Sequence, residues 1–598
     1  MKRITIFSLV VFLLSGVLAA TETRYDGRLL SREVTYTLHA DGSWSRELRH
    51  RMQYNSHNAT RRMGETFILF NPDFQELSEI ESVTTMKDGT RVPLPENALN
   101  LVLPRVAHEH PGFSHLREMV VTHTGLERGA VVDFSYRLHT RADFQPGFAA
   151  TEPLADALPI DRLVIRVQAE SGRRVCFAAP FELPVQKASG DGKETWTWVL
   201  ENIPPACAES SMPADQLPEL ILGENQDWQK VLEPIRASGP LPAELLKQVE
   251  ETVRETIAVA DRVVMIGRLV DKGIDLCRVP LTLSGWRFRS PEEVWNLHSA
   301  TAPEKARLLQ AALKAAGLPA EILVFSNRGW IDAEGPVLPQ AQRFLVEVRE
   351  SDTRAWYLDP LNESATLFPY ALEGRVAYRA VQDRFERLFN PLPTNHDVEV
   401  SGEVNIDAAR NSTGWLEVRL TGACTEYKTA MDDAAAAAES ALKRLLPLKK
   451  MRIEAIRELT PSSLRARFKV EAVALEQLAD SVFAFRQPRI NHVNAMMVAP
   501  AQRVSPLVFP HSLHVRVSIA VQTAEEVRLQ TAKASLIEHG SAVFSHSSRI
   551  RDRGVTVLTW EFTLPTRVET AQYAGFRKLV GRVLDGAPWF TLIFPPQK

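Results

Sequence analysis

His298, Ser299 and Thr301 fall within one short stretch, WNLHSATAPEK. A hydroxyl beside an imidazole is the raw material of nucleophilic acyl transfer, the ring taking the hydroxyl proton as the oxygen attacks a carbonyl. The spacing speaks against that use. His298 and Ser299 are neighbours in a loop, whereas a nucleophile and its base normally come from separate elements, with a third group orienting the base. The Thr301 hydroxyl has a better use as a helix cap. Cys277 is another candidate nucleophile, but it precedes Pro280 in a loop with no helix N-terminus beside it to stabilise a thiolate, so a packing role is preferred. His108, His110 and His115 cluster in the Pro-bounded loop VAHEHPGFSHL. Surface histidines account for them better than a metal set, which usually places His at i, i+4 on a helix or on adjacent strands with a carboxylate. The chain has no P-loop, no GxGxxG after a strand, no HExxH and no GxSxG. No metal and no cofactor is expected.

The elements that position these residues are well marked. Thr301 and Glu304 form a capping box, so a helix starts at about Ala302. Leu308, Leu309, Ala312, Leu313 and Ala316 share one apolar face, and Gly317 with Pro319 supplies the stop. AEILVF follows as a short apolar strand. RFLVEV, from Arg343 to Val348, alternates as a half-buried strand does, and Trp356-Tyr357-Leu358-Asp359-Pro360 leads into a turn. A loop therefore delivers the N-terminus of a buried helix to a cleft, with Trp295, His298, Ser299, Thr301 and Trp356 as its candidate lining.

This order resembles the transglutaminase-like core of the papain-type thiol enzymes. Glu304, Lys305, Ala306, Leu308, Leu309 and the run Ala315-Ala316-Gly317-Leu318-Pro319-Ala320 fit that family's helix motif. The resemblance implies a catalytic Cys at the helix start, a His opening the next strand and an Asp in the Leu-Asp-Pro turn. Here those positions hold Ala302, Arg343 and Asp359, so one of the three groups survives, and the expectation is a degenerate core with no catalytic residue. Asp359 is expected either to pair with Arg343 or to cap its own Asp-Pro turn.

The 598 residues are 45% apolar and 24% charged with a formal net charge of −3. That is ordinary globular composition, without the basic excess that a nucleic-acid surface needs. MKRITIFSLVVFLLSGVLAA reads as a cleaved secretory signal, and no later stretch is long and apolar enough for a spanning helix. The expected location is the periplasm. Cys176 and Cys207 flank a Trp-containing strand; a structural disulfide is one reading in an oxidising compartment, and two buried thiols are the other. The expected division is a signal peptide over 1–20, an N-terminal β-sandwich over 21–230, the core over 240–385 and a β-rich region over 386–598. The first of these domains and the last resemble the flanking regions of exported bacterial proteins with such cores, the first as a domain of unknown function. The fold class is α+β and multidomain, with a C-terminal region mainly β and carrying one helix, MDDAAAAAESALKRLLP. The function expected is that of a non-catalytic binding or scaffolding module for a peptide, glycan or protein partner. The alternative is a cysteine-independent hydrolase or acyltransferase using a substitute nucleophile.

Overall fold

Asp41 and Gly42 turn the first hairpin of the chain. Gly42 takes a left-handed φ of 87°, which a Cβ would strain. Asp41 Oδ1 accepts the Ser43 N–H at 2.9 Å, and strand Gly27–Leu38 returns as Trp44–Tyr54 with Leu38 opposite Trp44. The computed structural model describes residues 25–596 apart from 207–208, 214–216, 225–226, 237–238, 257, 362–363, 391–394 and 553. The signal segment and Cys207 lie outside these residues, and the Cys176–Cys207 pairing with them.

The described chain is β-rich and multi-sheet, and it divides into two units, one of the described residues within Met1–Cys207, Leu217–Glu224 and Leu281–Trp286 and the other of the remainder. In the first unit, Gly27–Leu38 also pairs in parallel with Ile160–Glu170, and this long-range ladder lies inside an eight-stranded sheet. Its core includes Val34, Ile165 and Trp198, each with 0% exposure. A three-stranded sheet of Glu65–Phe70, Arg117–Thr122 and Leu99–Val102 stands beside it, and a second three-stranded sheet completes the unit.

The second unit opens with helical pieces. Glu233–Arg236 is a helical turn with Ile235 buried. Next come α1 (Ala243–Glu255), α2 (Val259–Gly273), α3 (Pro291–Asn296) and α4 (Ala302–Ala315). Helix α4 packs on a five-stranded antiparallel sheet formed by β1 (Ala320–Phe325), β2 (Arg343–Ser351), β3 (Arg354–Leu358), β4 (Val376–Arg379) and β5 (Arg384–Arg387), ordered β3-β2-β1-β4-β5. Side chains alternate across a strand. Leu323, Phe325, Leu345 and Ala377 accordingly cluster with Phe368 and Leu372 on one face. Ile322, Val324, Phe344 and Val346 are also buried, which leaves their face for α4.

A second eight-stranded sheet follows. It is joined in its middle by a parallel ladder between Asp397–Ile406 and Leu513–Thr523. The Ala-rich helix α5 (Ala434–Leu445) is capped by Asp433, whose carboxylate accepts the Ala436 N–H. The expectation of one helix in this region is corrected by α6 (Thr570–Leu584). Tyr573, Phe576, Leu579, Val580 and Val583 are its buried residues, and their spacing is that of an apolar helix face. Glu569 and Gln572 form a capping box at its start. A polar residue at the cap sets this end of the helix. No described helix is long and apolar enough to cross a membrane.

Two glycines of the second unit should respond oppositely to alanine. A Cβ at Gly402 would stand 2.1 Å from the Trp415 carbonyl oxygen, so Gly402→Ala should lose about 1–3 kcal/mol by overpacking. A Cβ at Gly581, inside α6, meets nothing within 4 Å, so Gly581→Ala should gain roughly 0.5–1 kcal/mol. Thermal melts of the two variants check both signs.

Candidate functional site

Helix α4 starts at Ala302, with Thr301 as its N-cap. The Thr301 N–H and hydroxyl both donate to Glu304 Oε2, at 2.8 and 2.9 Å. Arg289 closes the other side of that carboxylate. Its backbone N–H and Nε donate to Oε1 at 2.9 Å each, and its Nη2 donates to Oε2 at 2.7 Å. Glu304 is only 3% exposed. Burial pushes its carboxyl up, but the Arg289 hydrogen bonds and charge, with the Thr301 N–H, hold it below its ordinary value. The next residue, Lys305, is also buried and meets Asp271 of α2 at 2.7 Å.

Arg343 opens β2 and Asp359 follows β3, and the two meet: Nη2 donates to Oδ2 at 2.7 Å. The Asp359 side chain is 2% exposed and that of Arg343 18%. Asp359 Oδ1 also accepts the Leu361 N–H at 3.0 Å, so the ion pair and the turn cap coexist on separate oxygens. Beside the pair lies a cavity of 390 Å³ lined by residues that include Thr366, Tyr370, Ala423 and His511. Its Thr366 hydroxyl donates to Phe368 O at 2.7 Å, and its Ser364 hydroxyl lies 2.9 Å from that of Thr366.

The segment that follows strand Ser412–Thr421 reaches this end of the sheet. Lys428 donates from Nζ to Ser364 O at 2.9 Å, and Arg268 of α2 grips Asp432 with Nη1 and Nη2 at 2.6 and 2.8 Å. Burial pulls the Lys428 ammonium below its ordinary value, against the pull of the Asp271 and Asp359 carboxylates. His396 packs edge-on to Tyr370 with ring centroids 4.5 Å apart, and 5.0 Å from His511. Its Nδ1 accepts the Ala423 N–H at 3.1 Å. Burial, with the neighbouring His511 and against the Asp397 carboxylate, pulls its pKa down to about 4.

The other candidate residues, Ala302, Trp295, His298, Ser299, Thr301 and Trp356, do not line the cavity beside the Arg343–Asp359 pair. His298 is exposed, in a left-handed conformation, with Nδ1 3.0 Å from Gly273 O, while Ser299 is buried in a two-residue strand. Trp295 is buried on α3, and Trp356 donates from Nε1 to Glu350 Oε2 at 2.9 Å. Cys277 requires a correction. Asp275–Leu276 pairs in parallel with Ser299–Ala300, and the Cys277 N–H donates to Ala300 O at 2.7 Å. The cysteine thus lies beside the strand that enters α4, within reach of the Glu304 and Arg289 charges, and burial pushes its thiol up. Sequence reasoning missed this bridge, and also Arg289 and Lys428, because each meets its partner through tertiary contact and no local pattern announces it.

Chemically, the arrangement holds charges without offering a nucleophile at the helix start. Ala302 has a methyl group there, the Thr301 hydroxyl is spent on Glu304, and a guanidinium stays protonated and cannot act as a base. Among the described residues no group of three or more His, Cys, Asp or Glu is placed to hold a metal ion.

Residues 40–206 match the family model of a domain of unknown function, DUF3857. The chain is also similar in fold to a protein from Parabacteroides distasonis described as a putative protease. The TM-score is 0.71 at 21% identity, over 95% of this chain and 99% of that one. An M1 zinc metallopeptidase from Deinococcus radiodurans aligns over 34% of this chain and 44% of its own, with 12% identity and a TM-score of 0.18, too low to carry an argument. No curated protein matches.

Two measurements follow from the buried charges. In the native protein Glu304 has a depressed pKa, so its contribution is present above the unfolded carboxylate value and is lost as pH falls through the folded one. Arg289→Met removes the offsetting cation and leaves burial opposed only by hydrogen bonds. The Tm deficit of that variant should therefore be larger at neutral pH than near pH 4. In a cycle of Arg343→Met and Asp359→Asn, each single change should cost up to about 3–5 kcal/mol, the range for breaking a buried pair. The double variant should lose roughly 1–3 kcal/mol less than the sum of the single losses. Additive losses in thermal unfolding would mean that the pair contributes nothing as a pair.

Proposed function

We propose that the chain is an exported, periplasmic binding or scaffolding protein built around a non-catalytic transglutaminase-like domain. The reading takes residues 240–385 as that α+β domain, set between an N-terminal β-sandwich over 21–230 and a β-rich region over 386–598. The observation that carries it is the Arg343–Asp359 ion pair at 2.7 Å, occupying two of the three positions that the resemblance gives to catalysis while Ala302 occupies the third. A fixed cation and a buried carboxylate suit recognition of a peptide, glycan or protein partner. Exposed strand edges offer main-chain groups for peptide addition.

The hydrolase or acyltransferase reading draws support from the name of the Parabacteroides distasonis protein. The local chemistry weighs against it. Ser299 is buried, the Thr301 hydroxyl donates to Glu304, and the Cys277 thiol is pushed up by burial. A low thiol pKa, by contrast, is the mark of a reactive cysteine.

Labelling of the folded protein at neutral pH separates the two. Neither iodoacetamide nor a fluorophosphonate probe should modify Cys277, Ser299 or Thr301, and no turnover of peptide amides should be detectable. A Ser299-dependent acyl adduct, or turnover lost on His298→Ala, would establish the enzyme reading instead.

A further inference from the structure

Val398 lies directly opposite Leu420 on one neighbouring strand and Val515 on the other. Residues in register share a face, so the three form one apolar row across the second eight-stranded sheet. Above this floor stand Ala441 and Leu445, one turn apart on α5, and Ile490 on the chain that follows strand Val482–Arg486. Leu420, Leu445, Ile490 and Val515 are only 3%, 5%, 5% and 1% exposed, yet they bound an open cavity of 270 Å³. Packed interiors leave few voids larger than a water molecule. A methylene takes up nearly a water's share of liquid volume, about 30 Å³, so the slot accepts a chain of roughly nine or ten carbons.

The mouth of the slot is charged. Arg444 Nη2 lies 3.3 Å from Glu426 Oε1, which offsets that cation. Asp397, whose charge reaches the Cys424 thiol in the slot, is itself 3.4 Å from His514 Nδ1. Arg489 is exposed, and among the described residues nothing accepts a hydrogen bond from its guanidinium. An apolar slot with one uncompensated cation at its rim is complementary to an anionic head on an apolar chain. We propose that this slot binds an unbranched alkyl carboxylate, its chain on the Val398–Leu420–Val515 row and its head on Arg489. The slot shares Ala423 with the Arg343–Asp359 cavity, but its assignment does not rest on the function of that cavity.

Titration calorimetry of the full mature chain with decanoate tests the assignment, with decyltrimethylammonium as the cationic counterpart of equal chain length. Decanoate should bind saturably at one site and slow maleimide modification of Cys424. Arg489→Glu, an exposed change that leaves the core untouched, should weaken decanoate at least about tenfold. Ala441→Phe should fill the slot and abolish binding while the thermal melt stays cooperative. The assignment is overturned if decanoate shows no saturable binding, if decyltrimethylammonium binds equally well, or if Arg489→Glu leaves the affinity unchanged.

Discussion

A carboxylate buried in the first turn of a helix is costly unless both oxygens are met, and meeting those of Glu304 organises the chain around α4. Burying an isolated charge would drive the group to neutralise. Here Arg289 and Thr301 supply five donated hydrogen bonds to the two oxygens. Each bond also fixes a piece of backbone. Arg289 anchors the loop ahead of α3, Thr301 anchors the entry to α4, and Arg289 Nη2 further grips Ser299 O at 3.0 Å. The parallel bridge from Asp275–Leu276 to Ser299–Ala300 then holds the end of α2 against the same entry.

The sheet under α4 solves a similar problem on a larger scale. Each of its five strands contributes one residue to a polar row: Glu321, Glu347, Tyr357, Arg379 and Glu386. Arg379 meets Glu347 through two nitrogens at 2.7 and 2.8 Å, and the Tyr357 hydroxyl donates to Glu347 at 2.8 Å. Burial raises the Glu347 carboxyl, and Arg379 with Tyr357 more than offsets this. A network so satisfied specifies register, because a slip of one residue would move Glu347 to the α4 face with no guanidinium to meet it. The apolar residues alone would tolerate more than one alignment, since both faces of this sheet are buried.

Local chemistry was legible in the sequence, and long-range chemistry was not. The Thr301/Glu304 cap, the Ala-rich helix α5 and the strand opening at Arg343 all depend on residues close together in the chain. The parallel ladders are different. Nothing in Gly27–Leu38 announces Ile160–Glu170 as its neighbour, because a strand's alternation encodes which face is buried and says nothing of its partner. The same limit hid the position of Cys277 beside the entry to α4. It also hid Lys428, which arrives at Asp359 from a segment with no sequence mark of that destination. Helix α6 was a different kind of miss. Its capping pair and apolar spacing are local, and they were outweighed by strand-like runs on either side.

Replacing an imidazole by a guanidinium changes what a neighbouring carboxylate can do. An Asp beside a His orients a ring that gains and loses a proton during a reaction, so the pair's net charge alternates. Beside Arg343, Asp359 faces a guanidinium, which does not shuttle a proton as an imidazole does. The Asp359 side chain is 2% exposed, with its second oxygen closing the turn at Leu361. The Lys428 ammonium packs nearby, its Nζ on Ser364 O. The later segment meets this end of the sheet around that pair: Ala423 and His511 line the cavity beside it.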